Sequence, residues 1–278
     1  MKKYKMIFVD VDGTLCDVNH KVSEKNKKAI HKAIKNNIDI VLCSGRTPVS
    51  LITICEEIVD YNAKYFIGFN GASILKNNPI TDVYKNTLDK DLSLEILERL
   101  EKHAKNDSDI CIATYPKPEQ IIMQNAPDNL GSIMDKEIEK INIKENISKH
   151  INTDVRKIMA VSENEKLQNI AKDFKSIIKD RYTMVFTSPY ILEFVPINVN
   201  KGSAISFLCE HIGISLDDVV TFGDSFNDIE MIKLAGLGVA IENAVEELKE
   251  CANYITKSDC NNSALEELVD YVIELNNK

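Results

Sequence analysis

Two aspartates, Asp10 and Asp12, directly follow the apolar run Met6–Val9 and are separated by one valine. Such a run predicts a buried parallel strand, and open α/β sheets bind ligands at the carboxyl ends of their strands. Side chains two residues apart on a straight strand point to the same face, so we expect the two carboxylates to lie together. Close carboxylates repel each other unless a proton or a cation lies between them, and Mg²⁺ prefers oxygen ligands. The pair therefore predicts a magnesium site.

A second acidic segment helps to decide between the possible roles of the Asp-x-Asp-Gly motif. That motif also fits a surface turn, or the acidic motif of a metal-dependent glycosyltransferase. Near the other end of the chain, a β-branched run predicts a strand over 219–222, which leads into an acidic turn and a helical pattern, Gly223-Asp224-Ser225-Phe226-Asn227-Asp228. Asp228 alone also fits an acid in a first helical turn. A glycosyltransferase would explain neither this block nor the lysine described next.

Two further strand or helix ends carry groups suited to an anion. The predicted strand 38–43 leads into Ser44-Gly45-Arg46, where a hydroxyl, a glycine and a helix start would form a phosphate cradle. Ser44 also fits an ordinary N-cap, and both roles are compatible. Lys201 and Gly202 precede the predicted helix 203–211. A lysine is unfavourable at the positive end of a helix, so Lys201 favours a nearby anion.

Taken in chain order, the four segments resemble motifs one to four of the haloacid dehalogenase (HAD) superfamily of phosphatases, and most closely its Cof-type members with a class IIB cap. These motifs begin at Asp10, Ser44, Lys201 and Gly223. The resemblance implies that Asp10 is the nucleophile that forms an aspartyl-phosphate. It implies that Asp12 is the general acid and then the general base, and that its backbone carbonyl ligates the metal. Lys201 would offset the charge of Asp10 and the phosphoryl group.

The resemblance also implies a metal site and a substrate site. The Mg²⁺ ligands would come from four acids, Asp10, Asp12, Asp224 and Asp228. The phosphate and substrate would contact polar and glycine residues at the strand ends, Ser44, Gly45, Arg46, Asn70, Gly71 and Asn227. The Asn70-Gly71 pair fits a plain turn equally well.

The pattern of elements predicts an α/β fold. Strand and helix signals alternate at both ends of the chain, which indicates a doubly wound parallel-sheet (Rossmann-like) core formed by residues 1–83 and 195–278. Residues 84–194 carry none of the motifs and predict an inserted α/β cap, with helices on one face of an antiparallel sheet. Its helices are predicted at 92–100 and 163–178, and its strands at 110–114, 120–124, 157–161, 182–186 and 191–194. Segment 125–152 gives no clear signal.

Composition limits the partners. A net charge of −9 leaves no excess basic surface for nucleic acid, and no apolar stretch approaches the roughly 20 residues of a membrane span. The seven cysteines are odd in number and contain no Cys-x-x-Cys pair, so we expect reduced thiols, mostly buried, in a cytoplasmic protein. The five histidines show no metal-ligand spacing, and no catalytic role is predicted for them. We expect a monomer or a weak homo-oligomer.

The predicted function is an Mg²⁺-dependent phosphohydrolase acting on a small phosphorylated metabolite, with a sugar or polyol phosphate favoured. Two alternatives stay open. A phosphotransferase or phosphomutase would use the same aspartyl-phosphate but pass it to another hydroxyl group. A non-catalytic ligand-binding regulator could use the same fold, although the presence of every acid and of Lys201 disfavours it.

Overall fold

The computed structural model describes residues 4–58, 61–127, 138–175 and 180–278. The chain forms two compact units. One contains the residues up to Tyr84 and those from Asn200 onward, and the other contains Lys85–Val199. The first unit, called the core unit below, carries all four motifs. The second is called the inserted unit.

Strands and helices are numbered in chain order. The strands are β1 (Met6–Val9), β2 (Asp39–Cys43), β3 (Tyr65–Gly68), β4 (Ser73–Lys76), β5 (Thr81–Lys85), β6 (Cys111–Lys117), β7 (Gln120–Gln124), β8 (Glu139–Ile143), β9 (Ile158–Val161), β10 (Thr183–Ser188), β11 (Ile191–Val195), β12 (Val219–Gly223), β13 (Leu237–Ala240) and β14 (Tyr254–Ile255). The α-helices are α1 (Glu24–Lys35), α2 (Pro48–Glu56), α3 (Lys90–Asn106), α4 (Asn164–Lys175), α5 (Lys201–Ile212), α6 (Ile229–Leu234), α7 (Glu246–Cys251) and α8 (Ala264–Asn277).

The sheet of the core unit has the order β14-β13-β12-β1-β2-β3-β4-β5. The strands from β14 to β3 pair in parallel, and β4 turns back antiparallel to β3. Strand β1 lies between β12 and β2, so the segments that follow these three strands meet at one edge of the sheet. The predicted doubly wound parallel sheet is confirmed. Strands β4 and β5 were not predicted. Both are short, and the turn residues Asn77, Asn78 and Pro79 lie between them, which indicates a loop.

Local capping explains where the helices next to the motifs begin. Thr47 caps α2 by accepting a hydrogen bond from Ser50 N, and Pro48 occupies the first helical position, where its missing N–H costs nothing. Asn200 caps α5 in a capping box with Ser203, which places Lys201 in the first turn. These caps determine where the chain leaves the sheet edge and so position the motif side chains.

The inserted unit is a sheet with the order β10-β11-β9-β6-β7-β8. Helices α3 and α4 share one apolar core with its strands, including Leu97, Phe174 and Phe194. The predicted antiparallel sheet is wrong at one pair, because β8 runs parallel to β7. Strand β8 lies in segment 125–152, which carries no clear secondary-structure signal. The end of the predicted helix 163–178 lies outside the described residues. No helix in the described ranges is long and apolar enough to cross a membrane.

Candidate active site

A buried lysine joins two of the motif aspartates in the core unit. Lys201 Nζ donates hydrogen bonds to Asp10 Oδ1 and, at 2.6 Å, to Asp228 Oδ1. The side chains of Lys201 and Asp228 are fully buried, and Asp10 is 5% exposed. Asp10 follows the end of β1, Lys201 begins α5 and Asp228 precedes α6. Three separate elements therefore meet around one ammonium group.

The charges of this trio shift the pKa values of its members. Burial raises the pKa of Asp10 well above its ordinary value, although Lys201 acts to lower it, and the charges of Asp228 and Asp224 raise it further. Burial would lower the pKa of Lys201, but the charges of Asp10 and Asp228 outweigh it and raise that pKa. The lysine is thus held as a cation next to the motif aspartate.

Asp228 also shapes the turn that carries Asp224. Its Oδ2 accepts hydrogen bonds of 3.0 Å from the backbone N–H groups of Asp224 and Ser225. Asp224 in turn accepts a 3.0 Å hydrogen bond from the Thr14 hydroxyl at Oδ1. Gly13 has φ +82°, and a Cβ there would lie 2.7 Å from Asp224 Oδ2, so the first and fourth motifs are in close contact.

Three carboxylates of the described residues form a group able to hold a metal ion. One oxygen each from Asp10, Asp224 and Asp228 lies within 4.8 Å of the others. Burial raises the pKa of Asp224, and the charge of Asp228 adds to this, while hydrogen bonds with Thr14 and Asp10 oppose it. Carboxylates this close repel each other, and a cation between them relieves that repulsion. The donor set of oxygens suits a hard cation such as Mg²⁺.

The Asp12 side chain lies outside this group and has other partners. Arg46 donates from Nε to Asp12 Oδ2 at 2.8 Å and from Nη2 to Oδ1 at 2.6 Å, and His20 Nδ1 lies 3.0 Å from Oδ1. Partial burial acts to raise the pKa of Asp12, but the hydrogen bonds and charges of Arg46 and His20 lower it overall. Strand β1 ends at Val9, so strand alternation does not extend to Asp12, and the closeness of the Asp10 and Asp12 side chains stays a prediction.

The predicted phosphate cradle is built on the ends of β2 and β3. Ser44 is buried, and its hydroxyl accepts a 3.2 Å hydrogen bond from Arg46 N. Asn70 N donates to Ser44 O at 2.9 Å, and its side chain lies over Gly45, where a Cβ would be 3.2 Å away. Asn227 Nδ2 donates to Asn70 Oδ1 at 3.0 Å. The cradle and the fourth motif are therefore in direct contact.

The structure brings most of the predicted site residues together at the carboxyl edge of the sheet, and it adds others. Gly71, with φ +103°, follows Asn70 in the same turn. Sequence analysis gave no role to Thr14 or His20, and it missed Asn243, which donates to Gly13 O at 2.9 Å. Asn243 could have been found as a polar residue just past β13. No spacing signal pointed to His20.

Comparison with known proteins agrees with this geometry. A protein-family model described as haloacid dehalogenase-like hydrolase matches residues 7–268. The chain belongs to this family. The Bacillus subtilis protein YcsE, named 5-amino-6-(5-phospho-D-ribitylamino)uracil phosphatase, is 29% identical over 271 residues, covering 97% of this chain and 96% of YcsE. The name of this relative contains a phosphatase activity, and together with the family match it confirms the predicted enzyme class, a HAD-type phosphatase.

Solved structures support the same fold along nearly the whole chain. A haloacid dehalogenase-like hydrolase from Bacteroides thetaiotaomicron matches with a TM-score of 0.86 and 27% identity. The match covers 97% of this chain and 100% of that chain. The HAD subclass IIB sugar phosphatase BT4131 matches with a TM-score of 0.76 and 21% identity, covering 96% and 98% of the two chains. The second match shows the fold alone. The predicted membership of the HAD superfamily and the predicted fold class are confirmed.

Proposed function

We propose that this phosphatase is an Mg²⁺-dependent hydrolase of small sugar or polyol phosphates that works through an aspartyl-phosphate on Asp10. The observation that carries the proposal is the buried Lys201 ammonium held between Asp10 and Asp228. A nearly buried carboxylate beside a fixed cation is positioned to attack an anionic phosphoryl group, because the cation offsets the repulsion between them.

The reaction would proceed in two displacements. In the first, a carboxylate oxygen of Asp10 forms a bond to phosphorus, and the bond from phosphorus to the substrate oxygen breaks. Asp12, whose pKa Arg46 and His20 lower in the free protein, gives that oxygen a proton that it takes up when the anionic substrate binds. In the second, Asp12 takes a proton from water, the water oxygen bonds to phosphorus, and the bond to Asp10 breaks. Free phosphate and the original carboxylate result.

The metal would be held by the acidic group at the sheet edge. Asp10 and Asp224 offer carboxylate oxygens there, Asp228 supports them, and the Asp12 backbone carbonyl is a further proposed ligand. Negative charge on the phosphoryl oxygens would be offset by the bound Mg²⁺. Ser44, Gly45 and Asn70 would bind these oxygens, with Arg46, Gly71 and Asn227 as the remaining proposed substrate contacts.

The substrate class rests on the named relatives. The substrate in the name of YcsE is a phosphate ester on a ribityl chain, which is a polyol chain. BT4131 is named a sugar phosphatase. The prediction that residues 84–194 form a cap domain remains part of this proposal. So does a cytoplasmic location, which is supported by the seven free cysteines.

The test is phosphate release from a panel of sugar, polyol, nucleotide and flavin phosphates, with Mg²⁺ and with EDTA. The matched variants are Asp10→Asn and Asp39→Asn. Asp39 begins β2 and pairs with Lys64, at the opposite end of the strands from the motifs. We expect release that needs Mg²⁺, is lost in Asp10→Asn and persists in Asp39→Asn.

Four other outcomes would contradict the proposal. Release that is unaffected by EDTA would remove the metal role, and release by Asp10→Asn would remove the nucleophile. Turnover that appears only when an acceptor sugar phosphate is added would favour the phosphotransferase or mutase. Binding without turnover across the panel would favour a non-catalytic regulator.

A further inference from the structure

His20 lies in a short loop whose backbone conformation is held by several hydrogen bonds. Asp17 Oδ1 accepts from Asn19 N at 2.8 Å and from Lys21 N at 2.9 Å, and Asp17 N donates to Lys21 O at 3.0 Å. His20 has φ +59°, in the left-handed region, which only a few per cent of residues other than glycine adopt, with Asn, Asp and His enriched among them. The loop therefore accepts backbone strain at the residue whose ring reaches Asp12.

The second partner of Asp12 is held equally well from another part of the chain. The backbone N of Arg46 donates to the Ser44 hydroxyl at 3.2 Å, and its carbonyl accepts from Phe69 N at 2.8 Å. The side chain of Arg46 is one quarter exposed, at 25%. Arg46 Nη2 also lies 3.4 Å from His20 Nδ1, so the two partners share Asp12 Oδ1.

Resting on the proposed function, we propose that His20 is a positioning residue for Asp12: together with Arg46, it restricts rotation of the Asp12 carboxyl group and so aligns it for proton transfer to the leaving oxygen. Arg46 contacts both oxygens from one side through its planar fork. A fork alone permits the carboxylate and the guanidinium to swing together, and the imidazole contact at Oδ1 opposes that motion. His20 does not touch the reacting atoms in this role.

A direct substrate contact is the main alternative role for His20. Its side chain is 70% exposed, so the ring is accessible to a ligand. Such a contact would change the binding of all substrates that share the contacted group. A positioning role predicts a different pattern, because proton transfer matters for an alkoxide leaving group and matters little for a phenolate that leaves without a proton.

The experiment compares kcat/KM for ribitol phosphate, or the fastest alkyl phosphate of the panel, with kcat/KM for para-nitrophenyl phosphate. This constant reports the step that forms the aspartyl-phosphate, in which Asp12 acts as the acid. The variants are His20→Ala, His20→Asn and Asp12→Asn. Asn37→Ala is the matched control, since Asn37 also has φ +59° but is exposed at the end of α1, away from the motifs.

We expect His20→Ala to lower the ratio of the alkyl to the aryl value about tenfold, the size expected for losing one hydrogen bond to a charged group. His20→Asn should restore the ratio, because asparagine tolerates the left-handed backbone and keeps a side-chain N–H donor. Asp12→Asn should lower the ratio further, and Asn37→Ala should leave it unchanged.

Two results would overturn the positioning role while leaving the proposed function standing. One is a His20→Ala variant that slows both substrates equally or raises KM alone, while Asp12→Asn still lowers the ratio. The other is a His20→Asn variant as impaired as His20→Ala. Failure of the proposed function looks different: either the wild-type protein releases no phosphate, or Asp12→Asn leaves the ratio unchanged, and each overturns both proposals.

Discussion

Lys201 Nζ lies 2.6 Å from Asp228 Oδ1, and both side chains are fully buried. The same aspartate holds the turn at Asp224 and Ser225 through its other oxygen. A single buried carboxylate therefore positions the lysine that faces Asp10 and also the turn that carries the next acid. The contacts that stabilise this part of the fold are therefore the same ones that position the proposed catalytic groups.

Replacing Lys201 by methionine should damage both stability and activity. The variant leaves Asp10 and Asp228 as buried acids without their cation, and breaking a buried pair in this way costs about 3–5 kcal/mol. Urea unfolding at neutral pH should show this loss in the free energy of unfolding, and phosphate release should disappear.

The double variant Lys201→Met with Asp228→Asn separates the two effects. Removing the second charge should recover part of the stability without recovering activity. Lys32→Met is the control, because Lys32 forms an exposed pair with Asp270, and such pairs contribute at most about 1 kcal/mol. Equal stability losses in the single and double variants would contradict the coupling described above.

Gly13→Ala should impair the site more than the fold. The new Cβ would lie 2.7 Å from Asp224 Oδ2 and displace a carboxylate that Thr14 holds. Gly213→Ala is the matched control: Gly213 has φ +72° and nothing within 4 Å of its Cβ position. Both variants should lose about 1 kcal/mol or more of stability to backbone strain. We expect Gly13→Ala, but not Gly213→Ala, to need a much higher Mg²⁺ concentration for half-maximal phosphate release. Similar Mg²⁺ titrations for the two variants would contradict the close contact between Gly13 and Asp224.

Two substitutions at Asn70 distinguish its side chain from its backbone. Asn70 has φ +54°, accepts from Asn227 and lies over Gly45. Asn70→Gly keeps the left-handed backbone and removes the amide, so KM should rise about tenfold with little change in stability. Asn70→Ala should show the same KM and an added loss of about 1 kcal/mol or more in the free energy of unfolding. An unchanged KM in both variants would remove Asn70 from the proposed substrate site.

Glu267 on α8 should make stability depend on pH in the acid range. Its burial acts to raise its pKa, but hydrogen bonds from Lys257 N, the Tyr254 hydroxyl and Ser258 N lower it below 4.5. A carboxylate whose pKa is lower in the folded state stabilises the fold above its unfolded pKa, and this contribution is lost as the pH falls through the folded value.

The comparison is the free energy of unfolding of the wild-type protein and Glu267→Gln between pH 7 and pH 3. We expect a difference of about 1–2 kcal/mol at pH 7 that shrinks as the pH falls below about 4.5. Glu274→Gln on the same helix is the control, since Glu274 pairs with Lys278 near the chain end and is 64% exposed. A difference that stays constant across this range would contradict the assigned role of the carboxylate.

The elements that carry the motifs could be predicted from the sequence because their signals are local. The apolar run before Asp10 and the β-branched run before Gly223 predicted β1 and β12 with nearly correct ends. The order of the motifs along the chain indicated the family, which the comparisons confirm. Local signals were weaker in the inserted unit, where β8 was missed and its parallel pairing with β7 was not foreseen.

Strand and helix periods and turn residues are encoded over short windows, so the acids, the lysine and the cradle residues that follow the core strands can be read from the sequence alone. How those side chains pair depends on the folded chain. Arg46 turns to Asp12, His20 reaches the same carboxylate from a strained loop, and Asn227 joins Asn70 across 157 residues of chain. Such pairings depend on sheet order and on loop conformations set by distant hydrogen bonds, which leave no periodic signal in the sequence.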